Sequence, residues 1–274
     1  MSELLGYEFM RHAVLAGVIA GMICGVIGTL VVVNRIVFLS GGIAHAAYGG
    51  IGLSYFMGWP YLLGTVGFSM LAAMVMAAVT LNAKHRADTV IGVIWAVGMA
   101  LGVIFIDLTP GYTADLMSYL FGSILAVSKA DIFYMGGLFL FICIVVWYFY
   151  EEFLAMSYDP EFARVRGVPV QMLYFLLIGM VALAVVMVIR VVGLILVIAL
   201  LTIPPYIAEQ YATSVGRMII ISTVLGLIFT LGGLSLSYAF NLTSGAVIIL
   251  VAGSGFFACV LLKWIFQRFS HRGD

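Results

Sequence analysis

The segment EEFLAMSYDPEFARVRGVP, from Glu151 to Pro169, decides the fold, because it is a charged island in an otherwise apolar chain. It holds six of the 24 formal charges, counted as 12 Lys and Arg plus 12 Asp and Glu. Hydrophobic residues make up 65% of the chain and charged residues 9%, far below the roughly 25% typical of soluble domains. The sequence therefore predicts a polytopic membrane protein in which this charged island lies in solvent between two membrane halves.

Long uncharged runs on both sides of the charged island indicate α-helical spans. No Asp, Glu, Lys or Arg occurs over the 48 positions from Ile36 to Ala83, or over the 45 positions from Met218 to Leu262. Each run is long enough for two helices of about 20 residues. The runs also lack the apolar and polar alternation of transmembrane β-strands. We expect an all-α polytopic fold with eight to nine transmembrane helices and with short or broken helices at the outer face.

Turn residues and charges divide the apolar runs into nine candidate spans. These spans are Phe9–Val33, Ser40–Gly58, Tyr61–Asn82, Thr89–Asp107, Ile132–Tyr150, Val170–Ile189, Val191–Ala208, Met218–Leu236 and Thr243–Leu262. We expect Ala114–Val127 to form a short or half-inserted helix at the outer mouth, since such elements are tolerated where they line a cavity. Pro204-Pro205 predicts a break late in the seventh span. Gly41 and Gly42 favour an unwound entry to the second span.

The basic residues predict the orientation of the chain in the membrane. If the charged island is cytoplasmic, alternation of the spans puts nine basic residues inside and three outside, which satisfies the positive-inside rule. Inside lie Arg35, Lys84, Arg86, Arg164, Arg166, Arg217, Lys263, Arg268 and Arg272, and outside lie Arg11, Lys129 and Arg190. We therefore predict a single membrane domain whose halves, 1–150 and 170–274, are joined by a cytoplasmic segment, 151–169.

These spans place one histidine, His45, within the membrane, in the sequence SGGIAHAAYGGIGLSY. It follows Arg35 by ten residues, about 15 Å of helical rise, which is near the middle of a core of about 30 Å. Two interpretations are open: a hydrogen-bonded residue that joins two helices, and a transient metal ligand. Neutral imidazole binds borderline metal ions without adding a formal charge. A permeation site must also bind weakly enough to release its ion, so an incomplete ligand set is compatible with transport.

Oxygen donors near His45 and at the outer loop complete the candidate set. Tyr48 could add an oxygen atom beside His45, and Asp107 and Asp115 flank the outer loop, where they either collect cations or form a solvated loop face. Asp88 is expected to cap the fourth span. The sequence has no HExxH, GxSxG or Walker A motif and no paired intramembrane carboxylates, which disfavours an enzyme and assigns any ATP hydrolysis to another chain.

Six stretches, in order along nearly the whole chain, resemble the permease subunits of the bacterial metal-type ABC importers, the zinc, manganese and iron uptake family. They are GGIAHAAYGGIGL (41–53), DTVIGVIWAVGMALGVI (88–104), DLMSYLFGSILAVS (115–128), MSYDPEFARVRGV (156–168), VGLILVIALLTIPPYIA (192–208) and TSGAVIILVAG (243–253). The resemblance implies a type II-like ABC importer permease in a bacterial or archaeal plasma membrane. It also implies a second copy of the permease, a cytoplasmic ATPase dimer and an extracytoplasmic metal-binding protein as partners, with no nucleic acid and no permanently bound cofactor.

The resemblance also assigns roles to individual residues. His45 matches the family's histidine in the second span, a proposed metal contact on the transport route. The helix-turn that docks onto the ATPase matches Asp159, Pro160, Glu161, Phe162, Ala163, Arg164 and Gly167. One departure concerns Gly41, where the family usually has an Asp four residues before the His, on the same helical face. Its absence weakens the case for manganese, which prefers oxygen ligands, and leaves zinc or iron as strong candidates.

The sequence thus favours a permease that passes divalent transition-metal ions inward, zinc first and manganese or iron as alternatives. A permease for a chelated metal, such as a siderophore, haem or cobalamin, is the nearest alternative, although that related family typically uses a larger membrane subunit. An ATP-independent secondary metal transporter is a second alternative. It predicts proton-relay carboxylates within the spans, and these are scarce in this sequence.

Overall fold

A computed structural model describes residues 8–82, 86–110, Gly122, Ile124 and 127–270, without the side chains of residues 266, 267, 269 and 270. The described helices are α1 (Glu8–Val33), α2 (Val37–Met57), α3 (Tyr61–Asn82), α4 (Ala87–Asp107), α5 (Lys129–Tyr148), α6 (Tyr150–Tyr158), α7 (Pro160–Val165), α8 (Val170–Val192), α9 (Leu194–Glu209), α10 (Val215–Phe240) and α11 (Ser244–Ser270). No strand occurs in these ranges, so the all-α expectation is confirmed for the described part of the chain.

Seven of these helices are long and apolar enough to cross a membrane, namely α1, α3, α4, α5, α8, α10 and α11 as far as Ile265. The helix α9 is apolar but has only 16 residues. The helix α2 has 21 residues, carries His45 and five glycines, and is not among these seven. A count of nine spans depends on these two helices and stays a prediction. The expected outer helix over Ala114–Val127 lies mainly outside the described residues.

The second helix does not unwind at its paired glycines, so that prediction is wrong. It begins at Val37 and continues through Gly41 and Gly42. The reason is packing, because a Cβ atom added to Gly42 would lie 2.5 Å from Cγ2 of Ile91 on α4. In a membrane, small residues let helices approach each other closely. Gly42 therefore provides space for the neighbouring helix α4 and does not interrupt α2.

The chain breaks at Gly193, between α8 and α9, three residues after the boundary at Arg190 that the sequence predicted, and the further break predicted at Pro204-Pro205 is wrong. Gly193 has φ 85°, a conformation that favours glycine. The two prolines lie inside α9, which continues past them. Pro205 has no N–H for the carbonyl of Leu201, and Gly28 of α1 packs against this carbonyl: a Cβ atom added there would lie 2.6 Å from its oxygen. A neighbouring helix thus accommodates the prolines, as happens in membrane bundles.

Several helices also begin earlier than the sequence predicted. The helix α4 begins at Ala87, so Asp88 lies in its first turn and is not the capping residue that was expected. A carboxylate in the first turn still stabilises the helix through its dipole. The helix α10 begins three residues before the predicted Met218, where Ser214 caps it by accepting a hydrogen bond from the N–H of Arg217. Asp88 therefore lies within α4, and Ser214 lies just before α10 as its cap.

The helix α1 packs against α10, α9, α5 and α8, so the first helix of the chain contacts mainly helices that follow the charged island. The helix α2 packs between α3 and α4 and also touches α8 and α9. Most of the side chains along α1 and α2 are buried, whereas fewer than a third are buried along α4, α5 and α11. The helix that carries His45 therefore lies inside the bundle.

Glycines bring the backbones of α2 and α4 into direct contact. A Cβ atom added to Gly98 would lie 2.9 Å from Cα of Ala46, and one added to Gly102 would lie 2.5 Å from the carbonyl oxygen of Tyr48. The spacing of Gly98 and Gly102 is that of the GxxxG packing motif. This close approach places Trp95, nearly one turn before Gly98, beside His45.

Candidate functional site

The imidazole ring of His45 stacks on the indole ring of Trp95. Their ring centroids are 4.0 Å apart and their planes differ by 13°. The residue is half-buried, and its Nδ1 atom is buried without a hydrogen-bond partner in the part of the chain that the structure describes. The hydrogen bond required by the structural interpretation of His45 is therefore not made by Nδ1. One ring nitrogen is left without a protein partner at the predicted depth of the membrane centre.

The structure places Asp107 far from His45 and does not describe Asp115. Across the described ranges, no group of three or more His, Cys, Asp and Glu could hold a metal ion. Tyr48 is buried and packs in a cluster with Ile51 and Ile106. Asp107 is exposed at the end of α4, twelve residues after Trp95, or about 18 Å along the helix. Asp115 lies outside the described residues.

The position of Gly41 has room for a side chain. A Cβ atom added to Gly41 would meet nothing within 4 Å, although the residue itself is buried. Residues four apart on a helix share a face, so this space lies on the same side of α2 as His45. The departure from the family pattern therefore leaves an open volume beside the imidazole.

The charged island folds into the helix-turn that the sequence predicted. The carboxylate of Asp159 accepts hydrogen bonds from the N–H groups of Glu161 (3.1 Å) and Phe162 (2.9 Å), which caps α7. Pro160 is in the first turn of α7, where its fixed φ is favourable and its missing N–H is no loss. Gly167, with φ 82°, turns the chain back towards α8. The segment Asp159–Gly167 is thus a short, capped element, which we call the coupling element.

One side of the coupling element is anchored and the other faces outward. Ala163 is fully buried, whereas Phe162 is 57% exposed and Val165 is 86% exposed. The guanidinium of Arg166 lies 5.7 Å from the centroid of the Phe162 ring. Apolar side chains exposed on a charged, solvent-facing segment are typical of a protein contact surface.

A cavity of about 1320 Å³ lies beside the coupling element. Its walls come from the charged island, from the ends of α1, α3 and α9, and from the starts of α2, α8 and α10. Two side-chain hydrogen bonds tie α6 to this end of the bundle. Asn34 Nδ2 donates to Ser157 Oγ at 2.9 Å, and the N–H of Gly216 donates to the Tyr150 hydroxyl at 3.0 Å. The sequence reasoning did not identify these links.

The opposite ends of the helices carry ion pairs. Lys129 at the start of α5 pairs with Glu8 at the start of α1. Arg190 near the end of α8 contacts Asp131 with a separation of 2.9 Å between Nη1 and Oδ1, and its guanidinium lies 5.3 Å from the centroid of the Tyr61 ring. The two basic residues belong to the set predicted to lie outside. The charged island and these ion pairs thus occupy opposite ends of the helix bundle.

The sequence matches the ABC 3 transport family over residues 6–263. The chain belongs to this family. It is 50% identical to the uncharacterized membrane protein slr2045 of Synechocystis, covering 98% of this chain and 94% of that protein. It is 33% identical to the manganese transport system membrane protein MntC of Listeria monocytogenes, with 95% and 93% covered. The solved structure of PsaBC from Streptococcus pneumoniae in complex with Fab matches with a TM-score of 0.85 and 31% identity, covering 94% of this chain and 93% of that one.

Membership of the ABC 3 transport family confirms the resemblance drawn from the six motifs. The protein is a metal-type ABC importer permease, a multi-pass protein of the bacterial inner membrane. The family consists of transport subunits, so the chain is not catalytic. Two relatives, MntC of Listeria monocytogenes and ScaB of Streptococcus gordonii, are named for manganese. The expectation that zinc is favoured gains no support from them.

Proposed function

We propose that this permease passes divalent metal ions, manganese foremost, from an extracytoplasmic binding protein to the cytoplasm. The observation that carries the proposal is similarity to proteins named for manganese transport, over 95% of the chain for MntC and 90% for ScaB. Two copies of the chain form the membrane unit, and a cytoplasmic ATPase dimer on separate chains supplies the energy. Zinc and iron are the competing cargoes, and the sequence of α2 is the reason to test them.

We infer that His45 is a transit ligand for the ion. Its Nδ1 lacks a protein partner among the described residues, and neutral imidazole binds transition metals without a charge penalty in the membrane. The open volume at Gly41 can hold water, which would supply the oxygen ligands that manganese prefers. Tyr48 is a secondary candidate on the same helix, and Asp107 and Asp115 are candidates for collecting cations at the outer side. A ligand set that is incomplete in one chain suits an ion that must leave again.

The coupling element, Asp159–Gly167, is the part that we propose docks onto the ATPase. The exposed Phe162 and Val165 offer apolar contacts, while the buried Ala163 anchors the element to the permease. Movement of the coupling element can be transmitted through α6 to α1 and α10. The hydrogen bond between Asn34 and Ser157 leads to α1, and the bond between Gly216 and Tyr150 leads to α10. Rigid-body movement of packed elements is a common way to transmit such a change. The charged island then connects halves 1–150 and 170–274 mechanically as well as covalently.

The proposal is tested by uptake of radioactive manganese into proteoliposomes that contain the permease, its ATPase and its binding protein. We expect ATP-dependent uptake that excess unlabelled manganese abolishes and that zinc, iron or a chelated metal inhibits less. His45→Ala should lower uptake by about 10-fold or more, since even the loss of a group that only supports a metal ligand costs about 10- to 100-fold. His12→Ala, on α1, is the matched control.

Three outcomes of these uptake measurements would change the proposal. Stronger competition by zinc than by unlabelled manganese would overturn manganese as the main cargo. Competition by a chelate alone would favour the alternative of a chelated metal. Unchanged uptake by His45→Ala would remove the role proposed for that residue.

A further inference from the structure

Trp95 is restrained on more than one side. Its indole Nε1–H donates a hydrogen bond to Sδ of Met99, one turn further along α4, at 3.2 Å. The ring of Phe38, on α2, lies against it with a centroid distance of 6.1 Å and an angle of 51°. The contact of Gly98 with Ala46 holds this part of α4 against α2. The indole ring therefore has a fixed position from which it covers one face of His45.

Most neighbours of His45 along α2 are small, with glycine or alanine at positions 41, 42, 44, 46, 47 and 49 beside Ile43 and Tyr48. A histidine that binds a metal is usually oriented by a hydrogen bond from its second nitrogen to a carboxylate or carbonyl. Nδ1 of His45 makes no such bond within the described residues. The stack with the indole ring of Trp95 is a contact that restricts rotation of the imidazole.

We propose that Trp95 is a positioning residue for His45: the stack fixes the plane of the imidazole ring, and with it the direction of the in-plane nitrogen lone pair that a passing divalent ion meets. This inference rests on the proposed role of His45 as a transit ligand. The Nε1–H of Trp95 is engaged by Met99, so the indole ring donates no hydrogen bond to the imidazole. A carboxylate that accepted a hydrogen bond from the second ring nitrogen would make the imidazole a stronger metal ligand. The stack orients His45 without strengthening its hold on the ion, which suits rapid release.

A spectroscopic test uses the small number of tryptophans. The chain has four, so a variant with Trp59→Phe, Trp147→Phe and Trp264→Phe keeps Trp95 alone. Cobalt(II) quenches indole fluorescence at short range, and an ion bound to His45 would lie next to a ring that is 4.0 Å from the imidazole. We expect saturable quenching when cobalt is added to the detergent-solubilised permease, and its loss in the same variant with His45→Ala. Absent quenching, or quenching unaffected by His45→Ala, contradicts the proposal.

A transport test separates orientation from general damage. Trp95→Leu should raise the KM for manganese about 10-fold, the lower end of what loss of a supporting group costs a metal site, while the ATPase rate stays unchanged. Trp95→Phe keeps a ring for stacking and should restore KM to within about 3-fold of the wild type, by the same scale. Trp147→Leu, at a highly exposed position on α5, is the matched control and should have no effect.

Met99→Leu serves as a second variant in case Trp95→Leu does not fold. It removes the hydrogen-bond acceptor of Trp95 but keeps the indole ring, so we expect a smaller rise in KM. If Trp95→Leu folds and transports with a normal KM while His45→Ala is impaired, the positioning role fails and the transit ligand stands. If His45→Ala also transports normally, the transit ligand itself fails.

Discussion

Asn34, at the end of α1, donates a hydrogen bond to Ser157 of the charged island, although 123 residues separate them in sequence. The same Asn34 side chain also donates to the carbonyl of Leu30, within its own helix, at 2.8 Å. Ser157 in turn donates to the carbonyl of Phe153. The contact therefore joins the last turn of α1 to the helix that leads into the coupling element, and it lies next to the large cavity.

The first prediction concerns this link. Asn34→Ala should reduce the number of metal ions moved per ATP hydrolysed while leaving ATP hydrolysis intact. One hydrogen bond contributes about 0.5–1.5 kcal/mol, which corresponds to a loss of coupling of about 2- to 10-fold. Uptake and phosphate release measured on the same proteoliposomes give the ratio. The matched control is Asn82→Ala, because among the described residues Asn82 donates to Ala78 of its own helix and to no distant element; an equal effect in both variants would contradict a specific role for Asn34.

The glycine contact between α2 and α4 gives a second prediction. Gly102→Ala puts a methyl group within 2.5 Å of the Tyr48 carbonyl oxygen, so the two helices must separate. Overpacking of this kind costs about 1–3 kcal/mol of stability. Thermal unfolding in detergent should show a lower midpoint for Gly102→Ala than for Gly92→Ala, since nothing lies within 4 Å of a Cβ atom at Gly92. Equal midpoints would show that the two backbones are not in close contact.

Local signals in the sequence predicted some helices well and others less so. The span Tyr61–Asn82 was predicted with both ends as the structure has them, because Trp59-Pro60 precedes it and charged residues follow it. The boundary between the sixth and seventh spans was predicted at Arg190, three residues before the actual break at Gly193. Pro204-Pro205 predicted a further break, but contact with α1 accommodates the prolines inside α9. Packing between helices, which the sequence does not display, decided this second outcome.

The candidate site was predictable only where one residue type carried the signal. His45 stood out because an ionisable side chain is rare at the predicted depth in a membrane. Trp95 did not stand out, because its contact with His45 depends on packing between α2 and α4, which are separated in sequence by the whole of α3. The links of Asn34 and Tyr150 to distant partners were hidden for the same reason. The polar pair Asn34-Arg35 at the end of the first span was the one available hint.

The third prediction concerns the ion pair between Arg190 and Asp131. Asp131 is largely buried and Arg190 is partly exposed, so the burial of this ion pair is intermediate between that of a surface pair and that of a buried pair. Arg190→Met leaves the Asp131 carboxylate without its partner and should lower stability by about 1–3 kcal/mol. Lys129→Met breaks an exposed pair and should change stability by less than about 1 kcal/mol. Chemical unfolding in detergent measures both variants, and a greater loss for Lys129→Met would contradict this assignment.

The fourth prediction concerns the cap of the coupling element. Asp159→Ala removes the acceptor for two backbone N–H groups and should cost about 1 kcal/mol of local helix stability. Since α7 has only six residues, this loss should weaken ATPase binding by about 5-fold. Asp159→Asn keeps a capping oxygen and should bind nearly as well as the wild type. Binding is measured by titrating the labelled ATPase onto permease in nanodiscs. If Asp159→Asn proves as weak as Asp159→Ala, the charge matters and not the cap.

The most direct test of the account compares metal uptake by the permease with and without its ATPase. Proteoliposomes that contain the permease, the ATPase and the binding protein should accumulate manganese against its gradient when ATP is supplied on the side of the charged island. Vesicles that lack the ATPase should accumulate none. Equal accumulation in both preparations, driven by a proton gradient alone, would contradict ATP-driven import and support a secondary transporter.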